Sequence, residues 1–207
     1  MKRKNSNVIG GENMRIGIFG GSFNPPHKMH LEMAVELVQG GEIDQIIFVP
    51  TGSHYQYKSN LVEDQYRYQM LQIMSRKYDF IIVSDYELKD HVVYTYETLE
   101  YFQRKYPNDQ IYFICGSDNL SYMDQWKCGK EILEKYKILV IQRETDDVNE
   151  IIRRLYRYQE NIIVSSIQPR TLSSTEIRKA IRDEIDISHY VDLDVLSYIK
   201  NHQLYEE

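Results

Sequence analysis

Between Gly20 and His30 the chain reads GGSFNPPHKMH, and the residue types in that stretch are those that hold phosphate. Gly20 and Gly21 remove side chains where the backbone leaves a short apolar run, so a ligand can approach the main-chain N–H groups closely. Pro25 and Pro26 stiffen the turn ahead of a helical stretch. His27 and His30 stand three apart in that helix's first turn, a spacing that puts both imidazoles on one face. A helix start favours anions through free N–H groups and the macrodipole. Imidazoles there add donors, and a bound phosphate favours their protonated form. The stretch reads as a polyphosphate seat. Two other readings use the same residues: a rigid turn with a structural His pair, and a metal site. The second lacks the Glu of the zinc-protease HExxH pattern and an obvious third ligand.

A second constellation stands near the other end, LSSTEIR at 172–178. Ser173 can cap a helix with Glu176 at the capping-box position. Ser173, Ser174 and Thr175 also place hydroxyls and N–H groups at a helix start, and Arg178 follows within two turns. An arginine there can grip phosphate through two parallel hydrogen bonds. Two anion-binding helix starts suggest a nucleoside triphosphate stretched between them. Neither GxGxxG nor GxxxxGK[ST] occurs, which disfavours a Rossmann dinucleotide site and excludes a P-loop.

These residues need a frame that brings them together. Short runs rich in Ile and Val fall at 15–20, 45–50, 80–84, 110–116, 137–142 and 161–166, as expected of strands buried on both faces. Helical patterns lie at 30–39, 62–77, 96–106, 147–158, 173–183 and 193–202. Such alternation predicts an α/β fold of Rossmann-like type, a mostly parallel sheet with helices on both faces. Ligands of such sheets bind beyond the carboxyl ends of the strands. The Gly20 turn, the GSD at Gly116–Asp118 and the 165–178 stretch all follow strands, so all three should meet on one edge. Residues 14–207 are expected to form a single domain ending in a small helical part, with 1–13 a disordered extension. The chain of 207 residues carries 25 Lys+Arg against 31 Asp+Glu, a net charge of −6, which argues against a general nucleic-acid partner. No apolar run approaches the roughly 18 residues a membrane span needs. Cys115 and Cys128 make neither a disulfide framework nor a zinc motif, and a reducing cytoplasm is the expected home. A homo-oligomer stays open.

The pairing of GGSFNPPHKMH with SSTEIR resembles the HxGH nucleotidyltransferase superfamily. Arg67 with Met70-Leu71, YELK at 86–89, YTYETL at 94–99 and FICGSDNLSYMDQW at 113–126 narrow the resemblance to the bacterial nicotinate-mononucleotide adenylyltransferases, over about residues 14–184. That resemblance implies adenylyl transfer from ATP to nicotinate mononucleotide, giving deamido-NAD and pyrophosphate, with Mg2+ accompanying ATP and no protein metal site. It implies that His27, His30 and Arg178 are catalytic, contacting phosphates and the transition state. Gly20, Gly21, Ser22, Phe23, Gly116, Asp118, Ser173, Ser174 and Thr175 would bind ATP, with Asp118 on the ribose. Thr95 would lie near the nicotinate carboxylate, Trp126 would stack on the pyridine ring, and Lys58 would meet the mononucleotide phosphate, with His54 able to share that work.

Two departures bear on substrate choice. Met29 stands where the family usually has Gly, which predicts a displaced backbone or a crowded site. The loop PTGSHYQYKSN lacks the usual Pro-Pro-His before its basic residue. Other acceptors (nicotinamide mononucleotide, phosphopantetheine, or CMP transfer), a nucleotide-binding protein without catalysis, and a nicotinamide-cofactor oxidoreductase are the alternatives.

Overall fold

The structure, a computed structural model, describes residues 13–54, 61–143, 146–168 and 172–206. The expected extension falls almost wholly outside these, as does Lys58. Six parallel strands form one sheet: β1 Arg15–Gly21, β2 Gln45–Pro50, β3 Ile81–Val83, β4 Gln110–Gly116, β5 Lys137–Ile141 and β6 Ile162–Val164. Their order is β3-β2-β1-β4-β5-β6. The chain therefore winds outward in one direction from β1 and then in the other from β4, and the crevice opens where the direction reverses.

The helices are α1 Lys28–Gln39, α2 Asp64–Ser75, α3 Thr95–Lys105, α4 Ser117–Leu120, α5 Gly129–Lys135, α6 Val148–Arg154, α7 Ser174–Arg182 and α8 Leu193–Asn201. Strand side chains alternate between two cores, one on each face of the sheet. Phe19, Phe48 and Ile114 pack with Leu37, Met70 and Val195, from α1, α2 and α8. Ile18, Ile47 and Phe113 pack with Leu99, Ile132 and Val148, from α3, α5 and α6. Gly17 lies between them in β1, where a Cβ would come within 2.5 Å of Ile114 Cδ1.

The α/β reading holds, with strands β3 and β6 shorter than the expected 80–84 and 161–166. The sequence pattern misses α4 and α5, which make the crossover from β4 to β5. Both are short, four and seven residues, too brief to show a helical period. The start of α5 also carries no cap signature: it follows Cys128, which is left-handed at φ +55°. A Cβ on Gly129 would sit 1.8 Å from the Met123 carbonyl oxygen, so only glycine fits there.

Candidate active site

A cleft of about 490 Å³ opens over the carboxyl edge of the sheet. Its lining comes from the turns after β1, β2, β4 and β5 and the start of α7, with the start of α3 and Trp126. Gly20, Gly21, Ser22, Phe23, His27, His30, Gly116, Ser173, Ser174, Thr175 and Arg178 all line it, as do Thr95 and Trp126. The structure therefore gathers these residues from segments more than 150 positions apart.

Phe23 is buried with φ +44°, a conformation uncommon for a bulky residue, and it precedes a cis Asn24–Pro25 bond. That turn lays the Phe23 ring under His30, edge to face at 4.9 Å between centroids. His27 and His30 stack on each other at 3.7 Å. The His27 amide donates to His30 Nδ1 at 3.2 Å, so the neutral His30 ring carries its proton on Nε2. Burial pushes the His27 pKa down to about 4, against the opposing pull of Glu176. Burial, then the charges of His27 and Arg143, hold His30 well below its ordinary value. Burial thus favours the neutral form of both rings. His27 Nδ1 is buried without a hydrogen-bond partner among the described residues.

The expectation of free amides at the start of α1 needs correction. Lys28 N–H donates to Tyr190 O at 2.8 Å, and His30 N–H to His27 O at 3.0 Å. With the His27 amide on His30, three amides at this helix start are already engaged, and that of Met29 is left as the helix-start donor. Met29 is the second residue of α1. Its side chain lines the cleft beside Met33.

The start of α7 is docked onto the same turn. Ser174 Oγ donates to Pro25 O at 2.9 Å, and Arg178 Nη1 donates to Asn24 O at 2.7 Å. Arg178 Nη2 also donates to Thr175 Oγ1 at 3.2 Å. Ser173 forms the capping box with Glu176: its amide reaches the carboxylate at 2.9 Å, and Glu176 N–H returns to Ser173 Oγ at 3.2 Å.

At the β4 turn, Asp118 stands on the rim, ion-paired through Oδ1 with Arg143 Nε at 2.9 Å. Asn119 and Arg143 line the cleft; Asp118 stands outside the lining. Arg143 was missed in the sequence, although a polar residue just past β5 lies on the ligand-bearing edge. At the other end Trp126 is half-buried and held edge-on by Phe113, centroids 6.2 Å apart. Thr95 opens α3. Its neighbour Tyr94 gives its amide to Glu97 at 2.8 Å, which leaves the Thr95 and Tyr96 amides as the next helix-start donors. Glu87 was also missed. Its carboxylate accepts from Thr98 Oγ1 at 2.7 Å on the cleft wall, and burial pushes its pKa up to about 7. Among the described residues no group of three or more His, Cys, Asp or Glu could hold a metal ion. No helix among them is long and apolar enough to cross a membrane.

A cytidylyltransferase-like family model matches residues 18–180. A protein of Carboxydothermus hydrogenoformans named a probable nicotinate-nucleotide adenylyltransferase is 36% identical over 196 residues, covering 92% of this chain and 98% of that one. One of the same name from Caldicellulosiruptor bescii is 35% identical over 198 residues, covering 93% and 100%. Among solved structures, the nicotinic acid mononucleotide adenylyltransferase of Plasmodium falciparum complexed with NaAD superposes with a TM-score of 0.80, covering 94% of this chain and 98% of that one. At 23% identity that likeness speaks for the fold.

Proposed function

The chain belongs to the cytidylyltransferase-like family, among the nicotinate-nucleotide adenylyltransferases, and from that premise we propose that it transfers the adenylyl group of ATP to nicotinate mononucleotide in NAD biosynthesis. The observation that carries this reading is the docking of α7 on the Asn24–Pro25 turn. It brings Arg178 and the Ser173–Thr175 hydroxyls to the cleft that holds His27 and His30.

In the reaction an oxygen of the mononucleotide 5′-phosphate attacks the α-phosphorus of ATP. The bond from that phosphorus to the bridging oxygen breaks on the opposite side, and pyrophosphate leaves. The nucleophile is already anionic near neutral pH, so no general base is needed. The protein's part is positioning and charge stabilisation. In this reading His30 Nε2–H and His27 donate to phosphate oxygens, while Arg178 and the start of α7 hold the β- and γ-phosphates. Asp118 takes the ribose after exchanging its partner Arg143. Trp126 stacks on the pyridine ring, and the first amides of α3 receive its carboxylate. Lys58, outside the described residues, is the proposed partner of the mononucleotide phosphate.

Around His27, His30 and Arg178 the cleft is lined by imidazoles, hydroxyls and a guanidinium, with none of the carboxylate oxygens that Mg2+ prefers among the described residues there. Mg2+ therefore fits as a companion of ATP, held by the nucleotide's own oxygens, and it supplies charge neutralisation there when bound. We place the enzyme in the cytoplasm, with both substrates as small-molecule partners.

The test is pyrophosphate release from ATP and Mg2+ with nicotinate mononucleotide, nicotinamide mononucleotide or phosphopantetheine as acceptor. Preference for the nicotinate form is expected. Release only with another acceptor refutes the substrate, and ATP binding without release for any acceptor refutes the enzyme.

A further inference from the structure

Arg67, in the first turn of α2, is the largest fully buried side chain among the described residues, and it does not line the cleft. Its guanidinium is spent on three segments. Nη1 donates to Ser22 O at 2.9 Å, in the turn after β1, and Nε donates to Val62 O at 3.1 Å. The remaining arm pairs with Asp64. Asp64 Oδ1 in turn accepts the Ser53 amide at 2.9 Å, in the loop after β2 that leads toward Lys58. Val62 N–H also donates to Asn24 Oδ1 at 3.2 Å, and the Asn24 carbonyl is the one held by Arg178. A continuous chain of hydrogen bonds thus runs from the Ser53 loop, through α2, to the Ser22–Asn24 turn and on to α7.

A buried guanidinium loses hydration that an apolar side chain would not, so filling space does not account for an arginine here. Its geometry has a specific consequence. The peptide is planar and trans, so its C=O and N–H point opposite ways. Holding Ser22 C=O on Arg67 directs the Phe23 N–H away from α2. This proposal rests on the reading of the cleft as a nucleotidyl-transfer site. We propose that Arg67 is a positioning residue for the nucleotide: with Asp64 it forms a strut that ties the turn after β1, through Ser22, to the loop after β2, through Ser53, and so holds the ATP turn in the geometry in-line transfer requires.

Asp64 provides the decisive variant, because it touches Ser53 and Arg67 and lies outside the cleft lining. The affinity of a non-hydrolysable ATP analogue is measured by calorimetry for the wild type, Asp64→Ala, Arg67→Lys and a Val195→Ala control. Val195 packs in the core that α2 shares with α8 and makes none of the strut's hydrogen bonds. Asp64→Ala and Arg67→Lys are expected to weaken the analogue fivefold or more, with Val195→Ala within twofold of wild type at a comparable loss of melting temperature. In adenylyl transfer at saturating substrates, Asp64→Ala is expected to lower kcat at least tenfold. Analogue binding within twofold of wild type in Asp64→Ala overturns the strut, and this variant decides alone if Arg67→Lys does not fold. A wild-type chain that binds the analogue but releases no pyrophosphate with nicotinate mononucleotide refutes the acceptor assignment, and the analogue affinities still judge the strut. A wild type that does not bind the analogue refutes both.

Discussion

Replacing Glu87 by Gln should stabilise the protein at pH 8 and leave it nearly unchanged at pH 4.5. The Glu87 carboxyl titrates at about 7 because burial disfavours its charged form, against 4.5 when exposed. Below pH 4.5 the folded and unfolded chains both hold the proton, and nothing is lost. Between 4.5 and 7 the unfolded chain releases it while the fold keeps it, so stability falls as pH rises. Above 7 the cost is constant. At about 1.36 kcal/mol per tenfold difference in proton affinity the ceiling is about 3 kcal/mol, and residual exposure brings the expected gain to about 1–3 kcal/mol. Glutamine keeps the acceptor for Thr98 Oγ1, which now sits at 2.7 Å, so the substitution changes charge with little change in packing. Thermal melts at pH 5 and pH 8 read the effect, at roughly 2–4 °C per kcal/mol for a chain of this size. A difference between variant and wild type that is the same at both pH values would refute the argument, since burial of a titrating carboxyl cannot act equally on both sides of its pKa.

His30→Ala and Arg178→Ala should each lower turnover by roughly a hundredfold or more, the scale of losing a donor aimed at transition-state charge; steady-state pyrophosphate release measures it, and wild-type turnover in both would remove their assigned roles. Trp126→Ala should raise KM for the mononucleotide about tenfold through lost stacking and leave KM for ATP alone; equal effects on both would mean that the ring supports the cleft wall instead. Met29→Gly should cost about 1 kcal/mol of helix stability, seen as a lower Tm, while turnover stays within a few-fold. A collapse of turnover there would show that the Met29 side chain shapes the phosphate seat.

How much of this was legible in the chain depends on the range over which each feature is encoded. The strands announce themselves because residues such as Ile16, Ile18, Ile46 and Phe48 must be apolar on both faces. The turn at Gly20–His30 stood out because its unusual residue types are adjacent, and LSSTEIR because a capping box is a local pattern that Ser173 and Glu176 do form. The Ser174–Pro25 and Arg178–Asn24 bonds join partners about 150 positions apart, and no spacing within either segment encodes them. Arg67 shows the same limit from the other side. On α2 it sits among Tyr66, Tyr68 and Gln69 like a solvated residue, and only the fold reveals that it is completely buried. Short α5 was invisible because its start depends on a glycine fitted against the Met123 carbonyl, a tertiary contact.

The largest change from sequence to structure concerns where the anion-binding power comes from. The sequence predicts two anion-binding helix starts on one edge of the sheet, with a nucleoside triphosphate stretched between them and free amides and dipoles attracting it. In the folded chain the amides of His27, Lys28 and His30 are already engaged, two within the turn and one with Tyr190 O. The two starts are one unit, because α7 is stitched to the turn that leads into α1. In the proposed reaction the donors to phosphate would be the permanently charged Arg178 and two imidazoles whose neutral form burial favours, beside the amides of the preceding turn and of the start of α7. Neutral donors lose less hydration on entering a cleft than charged ones. Their proton affinity rises as negative charge accumulates on the phosphates opposite. In the proposed reaction such groups would bind the transition state more strongly than the ground state, and only that difference accelerates a reaction. A pair of permanently charged lysines in the same places would hold ATP more tightly before transfer and gain less during it.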